Sequence, residues 1–213
     1  MKSSKVIVAI LFILPFISGC SGDKISELPY YDTPDFTPVW LSNNDANNIH
    51  RISDFSFTDQ DGKQVTGSEI DGNIHVANFF FTTCPGICPA MTKNLIKIQN
   101  EFAAADDIKL VSYSVMPWID SVSNLKNYEK TFDIKNGMWY LLTGSTSEIY
   151  ELARKSYFAE EKAGYNSDST EFLHTEHVLL VDRKGHIRGI YNGTLALDAE
   201  RLIEDIRTLK NES

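Results

Sequence analysis

Apolar residues follow two patterns along this chain of 213 residues, and together the patterns predict alternating strands and helices. Four short, nearly continuous apolar runs are typical of strands that are buried on both faces of a sheet. They lie at residues 75–81, 108–115, 138–142 and 178–181. A helix is indicated where apolar side chains recur at spacings of four, three and four and so share one helical face, namely Met91, Leu95, Ile98 and Phe102.

Turn and capping residues mark where the other elements begin and end. An Asp-Gly pair at 61–62 predicts a hairpin over 55–66, and Asp-Arg-Lys-Gly at 182–185 predicts another over 178–191. Serine and aspartate are favourable residues at the start of a helix. The remaining helices are predicted at 124–132, 147–157 and 198–209, the last two capped by Ser147 and Asp198.

The predicted order is hairpin, strand, helix, strand, helix, strand, helix, hairpin, helix. Such alternation is typical of an α/β fold with a largely parallel sheet covered by helices. The first strand-to-helix junction carries Cys84 and Cys88, and reactive groups collect at the carboxyl ends of strands in folds of this kind. We therefore expect a thioredoxin-like fold with a mostly parallel central sheet, flanking helices, and β-hairpins near both ends.

The N-terminus resembles the leader of a bacterial lipoprotein. Lys2 and Lys5 precede an apolar stretch at 6–16 that is too short to span a bilayer, and Ile-Ser-Gly-Cys at 17–20 matches a lipobox. We expect residues 1–19 to be a signal peptide and Cys20 to be lipidated, which would anchor the chain on the extracytoplasmic (periplasmic) side of a membrane of the cell envelope. A plain signal peptide or a short membrane anchor is the alternative.

Residues 20–50 have the composition of a tether. They contain three prolines and a polar run at 42–48, and no hydrophobic period is sustained there. Two apolar stretches, 28–31 and 39–41, are suited to docking onto the folded part. The folded domain is expected at 51–213.

Composition narrows the class of partners. A hydrophobic content of 42% and a charged content of 23% are ordinary for a soluble globular domain. The net charge of −9 argues against nucleic acid as a partner, because a binding surface for phosphates needs clustered positive charge.

The two remaining cysteines have the features of a chemical site. If lipid occupies Cys20, then Cys84 and Cys88 are the thiols left in an oxidising compartment, and a disulfide between them would close too small a loop to be a useful structural staple. A helix is predicted to begin at Cys88, where the dipole and free N–H groups stabilise a thiolate. A thiolate is a nucleophile and a soft metal ligand, so metal transfer and thiol redox chemistry both remain open.

The sequence around these cysteines resembles a known signature. Residues 80–92, FFTTCPGICPAMT, are similar to the motif of the SCO/SenC family, and the resemblance extends over about residues 50–210. Members of that family are thioredoxin-fold copper chaperones for the dinuclear copper site of cytochrome c oxidase. The resemblance implies that copper is held by Cys84, Cys88 and one distant histidine.

The resemblance selects His174 as the third ligand. The family's histidine precedes a turn glycine by eleven residues, and here Gly185 is that glycine, whereas His177 precedes it by eight. Two thiolates and one imidazole form a soft, low-coordinate site that suits Cu(I), with Cu(II) as a second oxidation state. His177, His75 and His186 are expected to lie at the surface of strands or turns.

One stretch departs from the family pattern. Residues 114–121, SVMPWIDS, resemble the family's S-x-D-P-x-x-D-T segment, and Asp120 matches its second acid. Met116 stands where the first acid is expected, which puts any role of that acid in copper release or partner docking in doubt. A thioether at this place would be a soft ligand near the site, but a methionine at a strand end more often packs against the core.

Two functions follow from these observations. In the first, a lipid-anchored chaperone, not an enzyme, holds Cu(I) and passes it to the copper-site subunit of cytochrome c oxidase by ligand exchange. This function needs a thiol reductant, because an oxidised pair cannot bind copper, and another protein as the copper donor. In the second, the chain is a thiol–disulfide oxidoreductase in which Cys84 attacks and Cys88 resolves, and its substrates are cysteines of the oxidase subunit or of other secreted proteins.

Overall fold

The computed structural model describes residues 27–42, 45–135, 137–159 and 175–212. The expected signal peptide, the expected lipidation site Cys20 and the expected copper ligand His174 lie outside the described residues. Within that part of the chain, no helix is both long enough and apolar enough to cross a membrane.

Two short antiparallel strand pairs precede the main sheet. Strand β1 (Tyr30–Tyr31) pairs with β2 (Pro38–Val39), and β3 (Ser56–Thr58) pairs with β4 (Gln64–Thr66). The second pair is the hairpin predicted from the Asp-Gly sequence, and Gly62 turns the chain with a positive φ of 76° that glycine adopts without strain.

Five further strands form the central sheet. They are β5 (Ile74–Phe80), β6 (Ile108–Ser114), β7 (Trp139–Leu142), β8 (His177–Val181) and β9 (Ile187–Asn192). Their spatial order is β7-β6-β5-β8-β9. Strands β5, β6 and β7 are parallel, and the predicted C-terminal hairpin adds β8 and β9 in antiparallel orientation. The sheet is therefore mixed, with its parallel half built by the predicted alternation of strands and helices.

Helices cover both faces of this sheet. The α-helices are α1 (Ile87–Glu101), α2 (Val122–Phe132), α3 (Thr146–Glu151) and α4 (Ala196–Asn211). Residues Leu152–Ser156 continue α3 as a π-helix, so the ordered helical segment ends close to the predicted residue 157.

Two predicted helix caps are wrong by a few residues. Helix α3 begins at Thr146, so Ser147 lies inside its first turn. Helix α4 begins at Ala196, and Asp198 lies in its first turn, where its carboxylate accepts the N–H of the last residue of β9 at 2.8 Å. Hydroxyl and acidic side chains are favourable both at the cap and in the first turn, so the residue type alone does not separate these two positions.

The central sheet is buried on both faces, which explains the continuous apolar runs in the sequence. Along β5, Val76 and Phe80 belong to a first core, which is shared with α1, α2 and α4. Ala77 and Phe79 belong to a second core, on the other face, under the β3–β4 hairpin and α3. The predicted apolar face of α1 is confirmed, because its four residues are at most 8% exposed and belong to the first core. Both cysteines also belong to this first core.

Part of the expected tether is attached to the sheet. Arg188 in β9 donates hydrogen bonds to the carbonyls of Leu28 (2.8 Å) and Pro29 (3.0 Å), and its guanidinium carbon lies 4.0 Å from the ring centroid of Tyr30. Tyr30 is only 2% exposed, so the docking expected for this apolar stretch is confirmed. In the second stretch, Trp40 is 55% exposed and does not dock as expected.

The candidate site lies at one edge of the central sheet, named here the carboxyl edge. Strands β5, β6 and β7 end there, and so does β9, whereas the antiparallel β8 begins there. The carboxyl edge is defined by the loops at 81–86, 115–121, 143–145 and 193–195 and by the segment at 175–176. The opposite edge carries the β8–β9 turn and the end of α4.

Candidate metal centre

Both cysteines lie at the carboxyl edge, where β5 passes into α1. Helix α1 begins at Ile87, one residue before the predicted start, so Cys88 is its second residue. Cys84 is 8% exposed, Cys88 is 3% exposed, and both are free thiols. Gly86 at the N-cap has no side chain to cap the helix, and the Cys88 N–H donates instead to Cys84 Sγ at 3.4 Å. The sulfur of the first cysteine thus lies against the start of the helix.

The two thiols differ in acidity because their surroundings differ. Burial raises the pKa of Cys84, but hydrogen bonds from the Cys88 thiol and from the N–H groups of Cys88, Gly86 and Ile87 together outweigh burial and hold this pKa below its ordinary value. Burial, and after it the hydrogen bond to Cys84, raises the pKa of Cys88 to about 12. The helix N-terminus therefore favours a thiolate on Cys84, while Cys88 stays protonated in the unmetallated protein.

A buried carboxylate ties the loop after β6 to the chain that leads to Cys84. Asp120 is fully buried and accepts hydrogen bonds from the Thr82 N–H (3.2 Å), from Thr82 Oγ1 (2.5 Å) and from Ser114 Oγ (2.5 Å). Hydrogen bonds to an ionised acceptor are strong, and a buried carboxylate needs them. Asp120 was marked in the sequence by its place in a pattern, whereas its partners Thr82 and Ser114 were not identified as site residues.

Met116 has a structural role. Its carbonyl accepts the N–H groups of Ile119 (2.8 Å) and Asp120 (2.9 Å), which closes the turn that presents the buried acid. Its side chain packs against the core under the β3–β4 hairpin, whereas the two cysteines belong to the core on the other face of the sheet. The packing interpretation of this methionine therefore fits the structure.

Two histidines expected at the surface are buried, so that expectation is wrong. His75 is 3% exposed, its Nε2 lies 3.2 Å from the hydroxyl of Tyr157, and burial lowers its pKa to about 4. His186 is 1% exposed, and its Nδ1 lies 3.3 Å from a carboxylate oxygen of Asp182. Strand β5 is covered on both faces, and the N-terminal segment covers the turn beside His186 through Tyr30, whose ring centroid is 5.6 Å away. Packing on both faces of β5 and the contact of Tyr30 with His186 both depend on residues distant in the sequence, so the local pattern does not predict them.

Strand β8 begins at the carboxyl edge, three residues after the expected ligand His174 in the sequence. Val178 pairs with Asn78 near the end of β5, and Thr175, the first described residue after 174, is buried. His177 is half-buried, with its ring centroid 5.8 Å from that of Phe36. Within the described residues, no third His, Cys, Asp or Glu joins the two thiols in a group that could hold a metal ion.

The surface beside the thiols is shallow. A cavity of about 360 Å³ lies between the thiol segment and α2, with Thr82, Thr83, Asn127 and Tyr128 among its lining residues. A larger cavity of about 580 Å³ is lined by residues 53–57 and by parts of α3 and the π-helix. Neither cysteine is among the lining residues of these two cavities.

Comparison with known proteins places this geometry in a family. The SCO1/SenC family profile matches residues 43–211. A crystal structure of a SCO1/SenC family lipoprotein from Bacillus anthracis is 30% identical, with a TM-score of 0.66, over 76% of this chain and 95% of that one. BsSco, a member of the Sco family of cytochrome c oxidase assembly proteins in which a disulfide switch was identified, is also 30% identical, with a TM-score of 0.65, over 77% of this chain and 95% of that one.

A third similar structure contains the metal. ScoI of Arabidopsis thaliana with copper bound is 26% identical, with a TM-score of 0.58, over 75% of this chain and 98% of that one. These similarities agree with the α/β, thioredoxin-like fold that the sequence predicted. The chain belongs to the SCO1/SenC family.

Proposed function

We propose that the chain is a lipid-anchored extracytoplasmic Cu(I) chaperone that carries copper to the dinuclear copper site of cytochrome c oxidase. The observation that carries the proposal is the pair of free, buried, hydrogen-bonded thiols where β5 meets α1. Membership of the SCO1/SenC family and the copper in the Arabidopsis relative support copper as the cargo.

We infer that Cys84, Cys88 and His174 bind the copper. Two sulfurs and one nitrogen form a low-coordinate, soft site, which Cu(I) prefers. Support for His174 comes from the family spacing and from the topology, because β8 starts at the carboxyl edge only three residues after it. His177 serves as the nearby alternative for a test.

The residues of the site would divide the work of binding and release. Cys84, with its lowered pKa, is the first thiolate available to a metal ion, and Cys88 would lose its proton as copper binds, so metal binding releases protons. The hydrogen bonds of Asp120 to Thr82 and Ser114 hold the chain before Cys84 in one place. Burial keeps both sulfurs away from water and oxidants until an acceptor approaches.

The membrane anchor is a separate part of the proposal. Support comes from the lipobox before Cys20 and from the similarity to a Bacillus lipoprotein. Radiolabelled fatty acid should enter the wild-type chain and not the Cys20→Ala variant. Equal labelling of the two proteins would contradict lipidation at this residue.

A thiol–disulfide oxidoreductase is the second candidate. The different acidities of the two thiols favour it, because a nucleophilic thiol of low pKa beside a protonated thiol is the arrangement that disulfide exchange uses. The disulfide switch of BsSco also supports it. Both functions need both cysteines, and only copper binding needs His174.

Anaerobic Cu(I) titration of the reduced protein tests the proposed copper site. We expect the wild type to bind one Cu(I) per chain, and we expect Cys84→Ser and Cys88→Ser to lose tight binding. In His174→Ala the affinity for Cu(I) should fall about tenfold or more, because loss of a ligand is rarely milder. His177→Ala is the matched control and should bind copper as the wild type does. A silent His174→Ala together with a damaging His177→Ala would overturn the ligand assignment.

A further inference from the structure

Exposed apolar side chains flank the thiol pair at the carboxyl edge. Among the described residues, four large hydrophobic side chains are exposed, and three of them lie here: Trp118 (60%), Leu195 (52%) and Leu197 (67%). Trp118 follows β6, whereas Leu195 and Leu197 follow β9, so they lie on opposite sides of the junction between β5 and α1. Exposed apolar side chains grouped around one site mark an interaction surface more often than scattered ones do.

Most of the described loops and first helical turns around the thiols carry no charge. None of the residues at 81–89, 115–119, 143–147 and 193–197 is Asp, Glu, Lys or Arg, although these four types make up 23% of the chain. Asp120, directly after the second stretch, is fully buried. Glu176, which is half-buried, supplies the charge in the remaining described segment at this edge. The residues that line the shallow cavity beside the thiols are uncharged as well.

The opposite edge of the same sheet has the reverse character. The loops there and the end of α4 carry many charged residues, among them Asp71, Asp106, Asp107, Asp133, Lys135, Asp182, Arg183, Lys184 and Lys210. Asp107 forms ion pairs with Arg183 (2.8 Å) and Lys210 (2.6 Å). The missing charge is therefore a local property of the carboxyl edge and not of the surface in general.

We propose that the uncharged loops, with Trp118, Leu195 and Leu197, form a docking face for the copper acceptor, a folded protein domain that presents its own thiols within an uncharged, apolar rim. The proposal rests on the proposed function and names the surface that this function would use. Cys84 and Cys88 are only 8% and 3% exposed, so a sulfur carried on a folded domain, unlike that of a small thiol, reaches copper there only when the two protein surfaces touch and water leaves. An uncharged face makes that desolvation cheap, and an exposed tryptophan is a typical anchor of a small, transient interface.

The transfer step on this face is ligand exchange without a change of oxidation state. Each Cu–S bond to Cys84 or Cys88 that breaks is replaced by a Cu–S bond to an acceptor thiol. The proton of that acceptor thiol passes to the cysteine that is released. The Cu–N bond to His174 breaks as the last acceptor sulfur binds, and it leaves a neutral imidazole. Copper remains Cu(I), so no oxidant or reductant is consumed.

The segment at 160–173, which precedes the proposed ligand His174, is a poorer occupant of this face than an acceptor domain. It rejoins the described chain at the carboxyl edge, but its composition suits water rather than an apolar surface. Its charged residues are Glu160, Glu161, Lys162, Asp168 and Glu171. A second copy of the chain is the other possible occupant, and the oligomeric state tests it.

The test places a charge on the face without touching the copper ligands. Full-length lipidated protein in detergent, loaded with Cu(I), is mixed with the reduced, copper-free copper-site domain of the oxidase subunit from the same organism. Trp118→Glu and Leu197→Glu are compared with Trp40→Glu. Trp40 is a matched control because it is also exposed (55%) but lies far from the carboxyl edge. It follows Val39, which pairs with Tyr30, and Tyr30 contacts His186 at the opposite edge. Transfer to dithiothreitol, which needs no docking, controls for the copper site itself.

We expect Trp118→Glu and Leu197→Glu to slow transfer to the acceptor domain tenfold or more, while Trp40→Glu and all transfers to dithiothreitol stay within twofold of the wild type. Wild-type rates in both face variants, or an equal slowing toward dithiothreitol, would overturn the docking face. A wild-type dimer in sedimentation that Trp118→Glu dissociates would assign the face to a second copy and would also overturn it.

Calorimetric titration of the copper-free chain with the acceptor domain separates this proposal from the function on which it rests. If the wild type holds copper but gives none to the acceptor, the proposed function fails. In that case, a tenfold or greater loss of affinity for the acceptor domain in Trp118→Glu would still support the docking face. An unchanged affinity in Trp118→Glu would contradict it.

Discussion

The two cysteines of the motif have different surroundings and therefore different tasks. Cys84 Sγ accepts the N–H of Cys88 at the start of α1, whereas Cys88 is the more deeply buried of the two, with 3% against 8% of its surface exposed. The pKa of the first is lowered and the pKa of the second is raised to about 12. Cys84 is thus the thiol that ionises more easily before a soft metal ion binds. Cys88 would lose its proton only when the metal ion binds to it.

Alkylation of the metal-free protein tests this difference. As the pH rises, iodoacetamide should modify Cys84 first, below the ordinary thiol pKa near 9, and Cys88 should stay unmodified until the fold opens. The raised pKa of Cys88 stabilises the fold fully below pH 9, and this contribution is lost as the pH rises from about 9 to about 12. Mass-spectrometric fragmentation locates the label, and earlier labelling of Cys88 would contradict the assignment.

The hydrogen bonds of Asp120 should contribute measurably to stability. In Asp120→Asn, an amide replaces one oxygen that accepts from Thr82 or Ser114, so we expect the free energy of unfolding to fall by about 2 kcal/mol in urea denaturation. Ser114→Ala removes one donor and leaves those of Thr82, so its expected loss is about 1 kcal/mol. An Asp120→Asn protein as stable as the wild type would show that the buried carboxylate does not hold the thiol segment.

The cysteines could be located from the sequence, but the environment of single polar residues could not. The motif at 80–92 led directly to the thiols, because strand, turn and helix signals are local. The burial of His75 and His186 depends on distant partners, namely Tyr157 and Tyr30. Long-range cover of this kind leaves no period or spacing in the sequence.

At the scale of elements, helix α1 is fixed tightly against the turn after β9. Asn94 in α1 donates to the carbonyl of Gly193 at 2.9 Å, and Gly193 donates to the carbonyl of Glu176 at 2.8 Å. A Cβ at position 193 would lie 2.6 Å from side-chain atoms of Met91 and Val178. Glycine at this place therefore lets α1, β8 and the end of β9 meet beside the thiols.

Gly193→Ala should destabilise the protein, because the new methyl group forces Met91 and Val178 apart. We expect a loss of about 1–3 kcal/mol in the free energy of unfolding, the usual range for overpacking. Glu200→Ala in α4 is the control for stability, since Glu200 is exposed and its replacement adds no atom to the core. Equal stability of the two variants would mean that the contact at Gly193 is easily relieved.

Most elements could be predicted from the sequence, and their exact ends could not. The runs that became β5 and β6 are apolar on both faces, so they are recognisable without any partner. The starts of α3 and α4 were misplaced because Ser147 and Asp198 are equally favourable one or more residues inside a helix. The antiparallel pairing of β8 with β5 is a long-range choice that only the folded sheet reveals.

At the scale of the whole molecule, the thiols and the N-terminal attachment lie at opposite edges of the sheet. Glu212, after α4, accepts the N–H groups of Glu27 (2.8 Å) and Leu28 (3.1 Å) at the edge that carries the charged loops. If lipid is attached to Cys20, the chain from there to Glu27 spans at most about 25 Å. Helix α4 adds about 24 Å between the two edges, so the thiols lie about that much farther along the fold than the attached segment.

Removal of the Arg188 side chain should release the N-terminal segment. Arg188→Met loses the hydrogen bonds to Leu28 and Pro29 and the ion pair with Glu212 (2.8 Å), so protease cleavage within 27–42 should accelerate tenfold or more. Arg183→Met is the control, because Arg183 lies on the same β8–β9 hairpin but pairs with Asp107, before β6, and not with the N-terminal segment. Equal cleavage rates in the two variants would show that other contacts hold the segment.

Oxidase activity in a deletion strain tests the central claim, copper delivery, most directly. The strain is complemented with wild-type protein, His174→Ala or the control His177→Ala, with and without added copper. The account predicts that His174→Ala fails at low copper and is rescued by excess copper, because the variant lacks a copper ligand but keeps both thiols. Full complementation by His174→Ala at low copper, with intact thiol exchange in the purified variant, would contradict copper delivery and favour the oxidoreductase.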